Sequence, residues 1–376
     1  MTSESDPSIV RPGSWTAREI AQQPTMWRSL ARSLDTDRQR IDGFLTPLLA
    51  DEDLRIVLTG AGTSAFAGQI LAPGLARTLR RRIDAVATTD IVSNPREHLA
   101  EDVPTLLVSF ARSGDSPESL AAVELADRLL TRCHHLVVTC NPDGQLTKDR
   151  RTSENSLVIL MPPATNDHGF AMTSSFTCMM LTVLDVLGGH HDTDRLAEAG
   201  ALALADLEQR AEKLATGGFD RFVFLGSGPL NGLARESALK LLELSAGQAV
   251  SYFDSALGFR HGPKAVLTDS TAVLVYVSND PHTRRYDLDI LAELRIALPP
   301  GNVVAIGTHA EPSPETWSFP SLADLADEAV APVFVLPAQH LALAYSLSLG
   351  LEPDNPFPDG SVNRVVEGVT IHGLVD

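Results

Sequence analysis

Between Arg235 and Lys264 the chain reads R-E-S-A-L-K-L-L-E-L and then, after a polar turn, F-R-H-G-P-K. Glu236, Lys240 and Glu243 stand at i, i+4 and i+7, a spacing that puts all three on one face of a helix. His261 follows on a second segment, flanked by an Arg and by a Gly-Pro pair that restricts the backbone. Two carboxylates, an amine and an imidazole are the groups needed to carry a proton between adjacent carbons. The same spacing also occurs on solvated helix faces with i, i+4 pairing. Here the intervening Ala238, Leu239, Leu241, Leu242 and Leu244 are apolar, so the helix is expected to be mostly buried. Charges that face a buried region are rarely idle.

A helix of this kind needs something to aim it. The segment L-G-S-G-P-L-N-G leads straight into it, after a short apolar strand near 222–225. The same arrangement stands earlier in the chain. R-I-V-L-T at 55–59 is a short apolar strand, and G-A-G-T-S-A-F-A-G follows it. Strand into Gly-rich turn into helix is a setting that suits phosphate. Further strands are predicted near 83–88, 105–110, 135–140 and 156–161, and again near 272–277, 302–306 and 332–336. Helices are predicted near 231–247, 283–297 and 339–349, and two more over 14–50. This alternation implies parallel α/β sheets, and its restart implies an internal duplication. The expected organisation is a helical extension over 1–50, one α/β domain over 51–200 and a second over 201–376 that includes the C-terminal tail. A helix rich in Ala, Leu and Glu joins them around 190–220.

The two copies differ where chemistry is expected. The first carries S-F-A-R-S-G-D-S-P-E-S at 109–119. Small hydroxylic residues and a Gly let backbone amides converge, and a helix starting at Pro117 adds its positive end. The same residue types also serve as ordinary helix caps. In the second copy the corresponding stretch is S-N-D-P-H-T-R-R, which has lost the Ser-Gly core. The first copy therefore reads as the anion holder and the second as the carrier of the acid–base helix.

The bulk numbers bound the partners. The chain has 376 residues, 44% hydrophobic and 21% charged, with a net charge of −18. That balance argues against nucleic acid and anionic membrane as partners, though not against a small anion held in a local pocket. Cys133, Cys140 and Cys178 read as reduced thiols, and M-T-S-E-S-D-P has no features of a signal peptide. A cytoplasmic location is expected on both counts. No apolar run is expected to span a bilayer. Cys133-His134-His135 and His190-His191-Asp192 are dense in metal-ligating types but lack the spacing of a zinc site, so no metal is expected.

In order along the chain, G-A-G-T-S at 60–64, the S-F-A-R-S-G-D-S loop, E-S-A-L-K-L-L-E at 236–243 and R-H-G-P at 260–263 resemble the sugar isomerase (SIS) domain family in a tandem arrangement. The last two are similar to the isomerase half of glucosamine-6-phosphate synthase. T-A-R-E-I-A-Q-Q-P at 16–24, N-D-H-G-F-A-M-T-S-S-F-T at 166–177 and N-P-F-P-D-G-S-V-N-R-V-V at 355–366 resemble its AgaS branch of galactosamine-6-phosphate deaminase/isomerases. The resemblance implies that Thr63, Ser64, Ser113 and Ser116 hold a sugar phosphate, with Arg112 standing where relatives often carry Gln. It implies that Glu243 is the base between C1 and C2, that Lys240 and Glu236 orient the open chain, and that His261 opens the ring, reaching across a dimer interface. Asn363 stands where the synthase has a Lys near its end, which favours deamination or simple isomerisation over synthesis. The implied function is conversion of galactosamine 6-phosphate to tagatose 6-phosphate and ammonia, with no cofactor, in a homodimer or larger homo-oligomer. Glucosamine 6-phosphate or a glycated-amine 6-phosphate fits the same machinery. The competing class is a non-catalytic sugar-phosphate sensor, in which Glu243 and His261 would have no work.

Overall fold

The computed structural model describes residues 13–309, 313–366 and 368–375. The N-terminal residues read for a signal peptide lie outside these. The described chain falls into two compact units, each built around one sheet.

Apolar runs too short for helices become parallel strands buried on both faces. In the first-sheet unit these are β1 (Arg55–Thr59), β2 (Ile83–Ala85), β3 (Thr105–Ala111), β4 (Cys133–Thr139) and β5 (Ser156–Leu160). They pair in the order β2-β1-β3-β4-β5, all parallel. The register brings Leu58, Val108, Leu136 and Leu157 side by side across the sheet. The helices are α1 (Trp15–Leu49), whose residues up to Pro24 group with the second sheet, α2 (Thr63–Leu79), α3 (Thr88–Ser93), α4 (Pro95–His98), α5 (Pro117–Leu129), α6 (Gln145–Arg150) and α7 (Ser174–Gly188). One core forms where Ala122, Val123 and Ala126 of α5 meet Val57, Leu107 and Val137 of the sheet.

The second-sheet unit repeats the plan. Its strands are β6 (Arg221–Leu225), β7 (Val250–Asp254), β8 (Thr271–Tyr276), β9 (Val303–Gly307) and β10 (Thr316–Ser318), in the order β10-β9-β8-β6-β7 and again all parallel. Numbered from its own first strand, each sheet has the order 2-1-3-4-5, so the duplication read from the sequence is a duplication of topology. The helices are α8 (Thr193–Ala215), α9 (Pro229–Leu244), α10 (Thr283–Ala297), α11 (Asp327–Phe334) and α12 (Leu336–Ser348). In both sheets the strand order reverses between the first and third strands. The crevice outside the C-terminal strand ends at such a point is where open α/β sheets bind ligands.

Three expectations need correction. The N-terminal region is one helix, α1, not two, although it contains Pro24. Proline strips a hydrogen bond from the carbonyl four residues back, here Ile20. The Gln23 side-chain amide donates to that carbonyl at 3.1 Å and replaces the missing bond. The stretch 332–336 is helical and fully buried rather than a strand. A short apolar run does not distinguish a buried strand from a buried helix. The run Asp327–Ser348 is, by length and composition, apolar enough to cross a bilayer, yet 89% of its most apolar window is buried inside the protein, as in a core helix. The sequence reading also missed β7 and β10. The first is a part-exposed edge strand interrupted by polar residues, and the second has only three residues.

The tail that the sequence places with the second domain groups with the first sheet from Gly360 onward. Arg112 donates to the Arg364 carbonyl at 3.0 Å, Arg96 to that of Val375 at 3.3 Å and Arg128 to that of Leu374 at 3.4 Å.

Candidate active site

In the first-sheet unit the Gly-rich turn follows β1 and opens α2. A Cβ at Gly60 would lie 2.5 Å from Ser64 Cβ, so the chain can turn this sharply only with glycine there. Gly62 has φ 55° and ψ −127°, a region that side chains strongly disfavour, and it occupies the N-cap position without a side-chain cap. Thr63 and Ser64 lie buried in the first turn of α2, and their hydroxyls make no hydrogen bond among the described residues.

The loop after β3 lies at the same sheet end. Ser116 occupies the N-cap position of α5 without capping it; its hydroxyl donates to Ser119 Oγ at 2.7 Å. The ordinary-cap alternative therefore does not describe Ser116, and the amide-rich end of α5 carries no side-chain cap. Asp115 faces the other way. It accepts from Gln145 N at 2.8 Å and from the Asn141 amide at 3.3 Å. That fixes the loop, and Gly144 allows the close approach, since a Cβ there would meet the Ser113 carbonyl at 2.5 Å. Arg112 is buried, and its bond to the Arg364 carbonyl sets it beside the tail. Asn363, the neighbour of Arg364, is exposed.

In the second-sheet unit the helical face forms as its spacing implies. Glu236 and Lys240 are buried at 0% and 1% exposure, while the Glu243 side chain keeps 23%. The Lys240 ammonium lies 2.5 Å from Glu243 Oε2 and 3.5 Å from Glu236 Oε1. Charges this deep are tolerated only when paired, and the lysine serves both carboxylates. The Tyr276 hydroxyl meets Ser237 Oγ at 2.7 Å, and burial drives its pKa far up, so it stays a neutral hydrogen-bonding group. Glu243, the partly open member of the row, is the carboxylate best placed to meet a substrate.

His261 is exposed and ends a short 3₁₀ turn, Gly258–Arg260. Its neighbours are held down. Arg260 pairs with Glu293 at 2.9 Å, and Lys264 pairs with the same carboxylate. Gly262, with φ 121°, makes the bend between them. The R-H-G-P-K motif is thus a clamp on Glu293 that leaves the imidazole projecting.

Sequence reasoning missed one group and one member of another. Burial and the nearby Asp167 push the Glu19 carboxyl up to about 7, although it accepts from the backbone of His168 and Gly169. Asp354 caps the start of α1 through Trp15 N at 2.7 Å and Thr16 N at 2.8 Å. Segments 16–24, 167–173 and the residues just before the tail therefore meet around Glu19. The other joins Asp127, which the sequence reading did not single out, to Cys133 and His135 of the cluster it did, with ligand atoms within 4.8 Å of one another. There Asp127 already bonds His135 at 2.7 Å and pairs with Arg150, and burial drives the Cys133 thiol up to about 12. A guanidinium and a protonated thiol disfavour a cation at that spot.

Comparison with known proteins gives the family and the fold. Residues 48–187 match the SIS domain model. An AgaS protein of Streptomyces coelicolor is 56% identical over 96% of this chain and 96% of its own length. The D-galactosamine-6-phosphate deaminase AgaS of Escherichia coli is 45% identical over 97% of each chain. The crystal structure of tagatose-6-phosphate ketose/aldose isomerase from Escherichia coli, 44% identical, superposes with a TM-score of 0.88 over 96% of this chain and 97% of that one.

Proposed function

The chain belongs to the AgaS family of sugar isomerase (SIS) domain proteins, and from that premise we propose that it converts galactosamine 6-phosphate to tagatose 6-phosphate and ammonia. The observation that carries the reading is the buried Glu236–Lys240–Glu243 row with one partly open carboxylate. In the open-chain aldehyde the C2 hydrogen is acidic. Glu243 takes it to give an enolamine and returns a proton at C1, leaving a ketimine at C2; water then releases ammonia and leaves the ketose. Lys240 and Glu236 orient the chain and balance charge at the reacting carbons. His261 donates and accepts the protons of ring opening. Its exposure suits a role toward the site of a second subunit in a homodimer.

The phosphate is assigned to Thr63, Ser64, Ser113 and Ser116 with the amides of their turns. Arg112 supplies positive charge, and Asn363 lies in the tail beside it. Gripping a remote phosphate positions the reacting carbons, and no step needs a metal or redox cofactor. The work is that of a cytoplasmic sugar-phosphate enzyme.

The similarity to a ketose/aldose isomerase favours one second reading, proton transfer without loss of nitrogen. A panel of galactosamine, glucosamine, galactose, tagatose and fructosamine 6-phosphates, followed for ammonia and for ketose, separates the two. One ammonia per tagatose 6-phosphate from galactosamine 6-phosphate is expected. Interconversion of the neutral sugars with no ammonia release would establish the isomerase reading. Binding without turnover of any of them would leave a sensor.

A further inference from the structure

The second Gly-rich turn has the geometry of the first but not its hydroxyls. Gly228 has φ 57° and ψ −128°, nearly the values at Gly62. Where the first turn offers the Thr63 and Ser64 hydroxyls, the second has Pro229, which lacks an N–H, and Leu230, which is fully buried. A carboxylate takes up the one hydroxyl that remains, that of Ser227. Asp287 Oδ1 accepts from Ser227 Oγ at 2.7 Å and Oδ2 from Ser278 N at 3.0 Å. Next to it Asp327 accepts from Ser278 Oγ at 2.5 Å and from Asn279 N at 2.7 Å. Asp287 is fully buried, and burial pushes its carboxyl up to about 6. It is the fifth residue of α10; the fifth residue of the equivalent helix α5 is Ala121, which brings no charge.

We propose that Asp287 is a built-in substitute for a phosphate: it bridges the turn after β6 to the loop after β8 from inside, closes the second anion cradle, and leaves the chain with one sugar-phosphate site, at the first turn. The inference rests on the assignment of the phosphate to loops 60–64 and 112–116. Oriented hydroxyls and amides at a helix start favour an anion, and a side chain of the protein can be that anion. Such a bridge holds the two loops whether or not a ligand is present. In the first-sheet unit no carboxylate holds the Asp287 position, so a ligand is needed for the same effect.

The probe is galactitol 6-phosphate, which lacks the aldehyde and cannot react. Calorimetry is expected to give one ligand per chain. Hydrogen exchange is expected to slow at 60–64 and 112–116 and to stay unchanged at 226–230 and 278–280. Two ligands per chain, or protection at 226–230, overturns the proposal. Asp287→Ala is expected to speed exchange at 226–230 and 278–280 while the stoichiometry stays at one and the affinity holds within about twofold, as for independent sites. If that variant does not fold, Asp287→Asn serves instead, because it keeps the shape and loses the charge. Unchanged exchange at both loops in a folded Asp287→Asn protein also overturns the bridge. If Ser113→Ala and Ser116→Ala leave affinity intact and neither turn is protected, the phosphate assignment falls and takes this inference with it. Protection of both turns sinks this inference alone.

Discussion

Gly62→Ala and Gly228→Ala make a matched pair that separates folding from binding. A Cβ at either position would find nothing within 4 Å, so no clash enters the comparison. The whole cost is conformational. The two backbones share φ and ψ within a few degrees, at φ 55° and ψ −127° and at φ 57° and ψ −128°. A non-glycine residue held in such a region costs about 1–3 kcal/mol. Both variants should therefore lose similar stability in urea titrations, a sizeable part of the roughly 5–15 kcal/mol of a typical fold. Binding should differ. At Gly62 any relaxation of the backbone swings the Thr63 and Ser64 amides and hydroxyls off the phosphate. Losing one charge-assisted hydrogen bond costs about 1.5–3 kcal/mol, or roughly tenfold or more in KM. At Gly228 the cradle is closed by Asp287, so KM should stay near that of the parent. Steady-state assays on both proteins, with their urea midpoints, test the pair. Full stability in both variants would refute the backbone argument. An equal rise in KM for both would refute the assignment of the phosphate to the first turn.

Other consequences follow from the same geometry. Glu243→Gln keeps the shape of the row but not its basicity; turnover should fall by about 10²-fold or more with sugar-phosphate affinity retained, and near-normal turnover would remove Glu243 from the chemistry. Mixing inactive Glu243→Gln with inactive His261→Ala subunits should restore activity if the imidazole serves a neighbouring site, and no recovery after demonstrated subunit exchange would place His261 in its own chain's site. Glu19 sets a pH dependence of stability. Its folded-state pKa of about 7 stands above the ordinary 4.5, so the folded state favours the protonated form. Its contribution is complete below pH 4.5 and is lost as pH rises through 7, about 3 kcal/mol in all. Glu19→Gln should flatten the urea-midpoint slope between pH 5 and 8, and an unchanged slope would mean that Glu19 titrates normally.

Much of this molecule was legible because its signals are local. Each turn glycine sits where only glycine fits, and the Glu236–Lys240–Glu243 row needs nothing beyond helical periodicity to share a face. Strand positions followed the apolar runs, and the duplication showed because two turns of the same type each follow a strand. The failures were local as well. P-V-F-V-L at 332–336 is as apolar as a strand, and only its packing inside α11 and α12 decides otherwise. Pro24 reads as a helix stop, yet one glutamine amide three residues past Ile20 removes the reason to stop.

What stayed hidden depends on partners that are distant in sequence. The sequence showed that the second copy had lost its Ser-Gly core, but not that a carboxylate had replaced the ligand. Asp287 looks like any polar residue on an amphipathic helix until folding sets it against Ser227, 60 residues earlier. Glu19 likewise gains its raised pKa from burial and from the distant Asp167, which folding sets beside it. The apparent degeneration of the second turn is then a division of labour. One copy keeps the Thr63 and Ser64 hydroxyls without a hydrogen bond among the described residues and has Ala121, not a carboxylate, at the fifth position of α5. The other closes its own cradle with buried carboxylates, and on its next helix carries the charges that a proton transfer needs. A duplicated fold can specialise in this way with few substitutions, because a carboxylate from within satisfies the donors that a phosphate would otherwise hold.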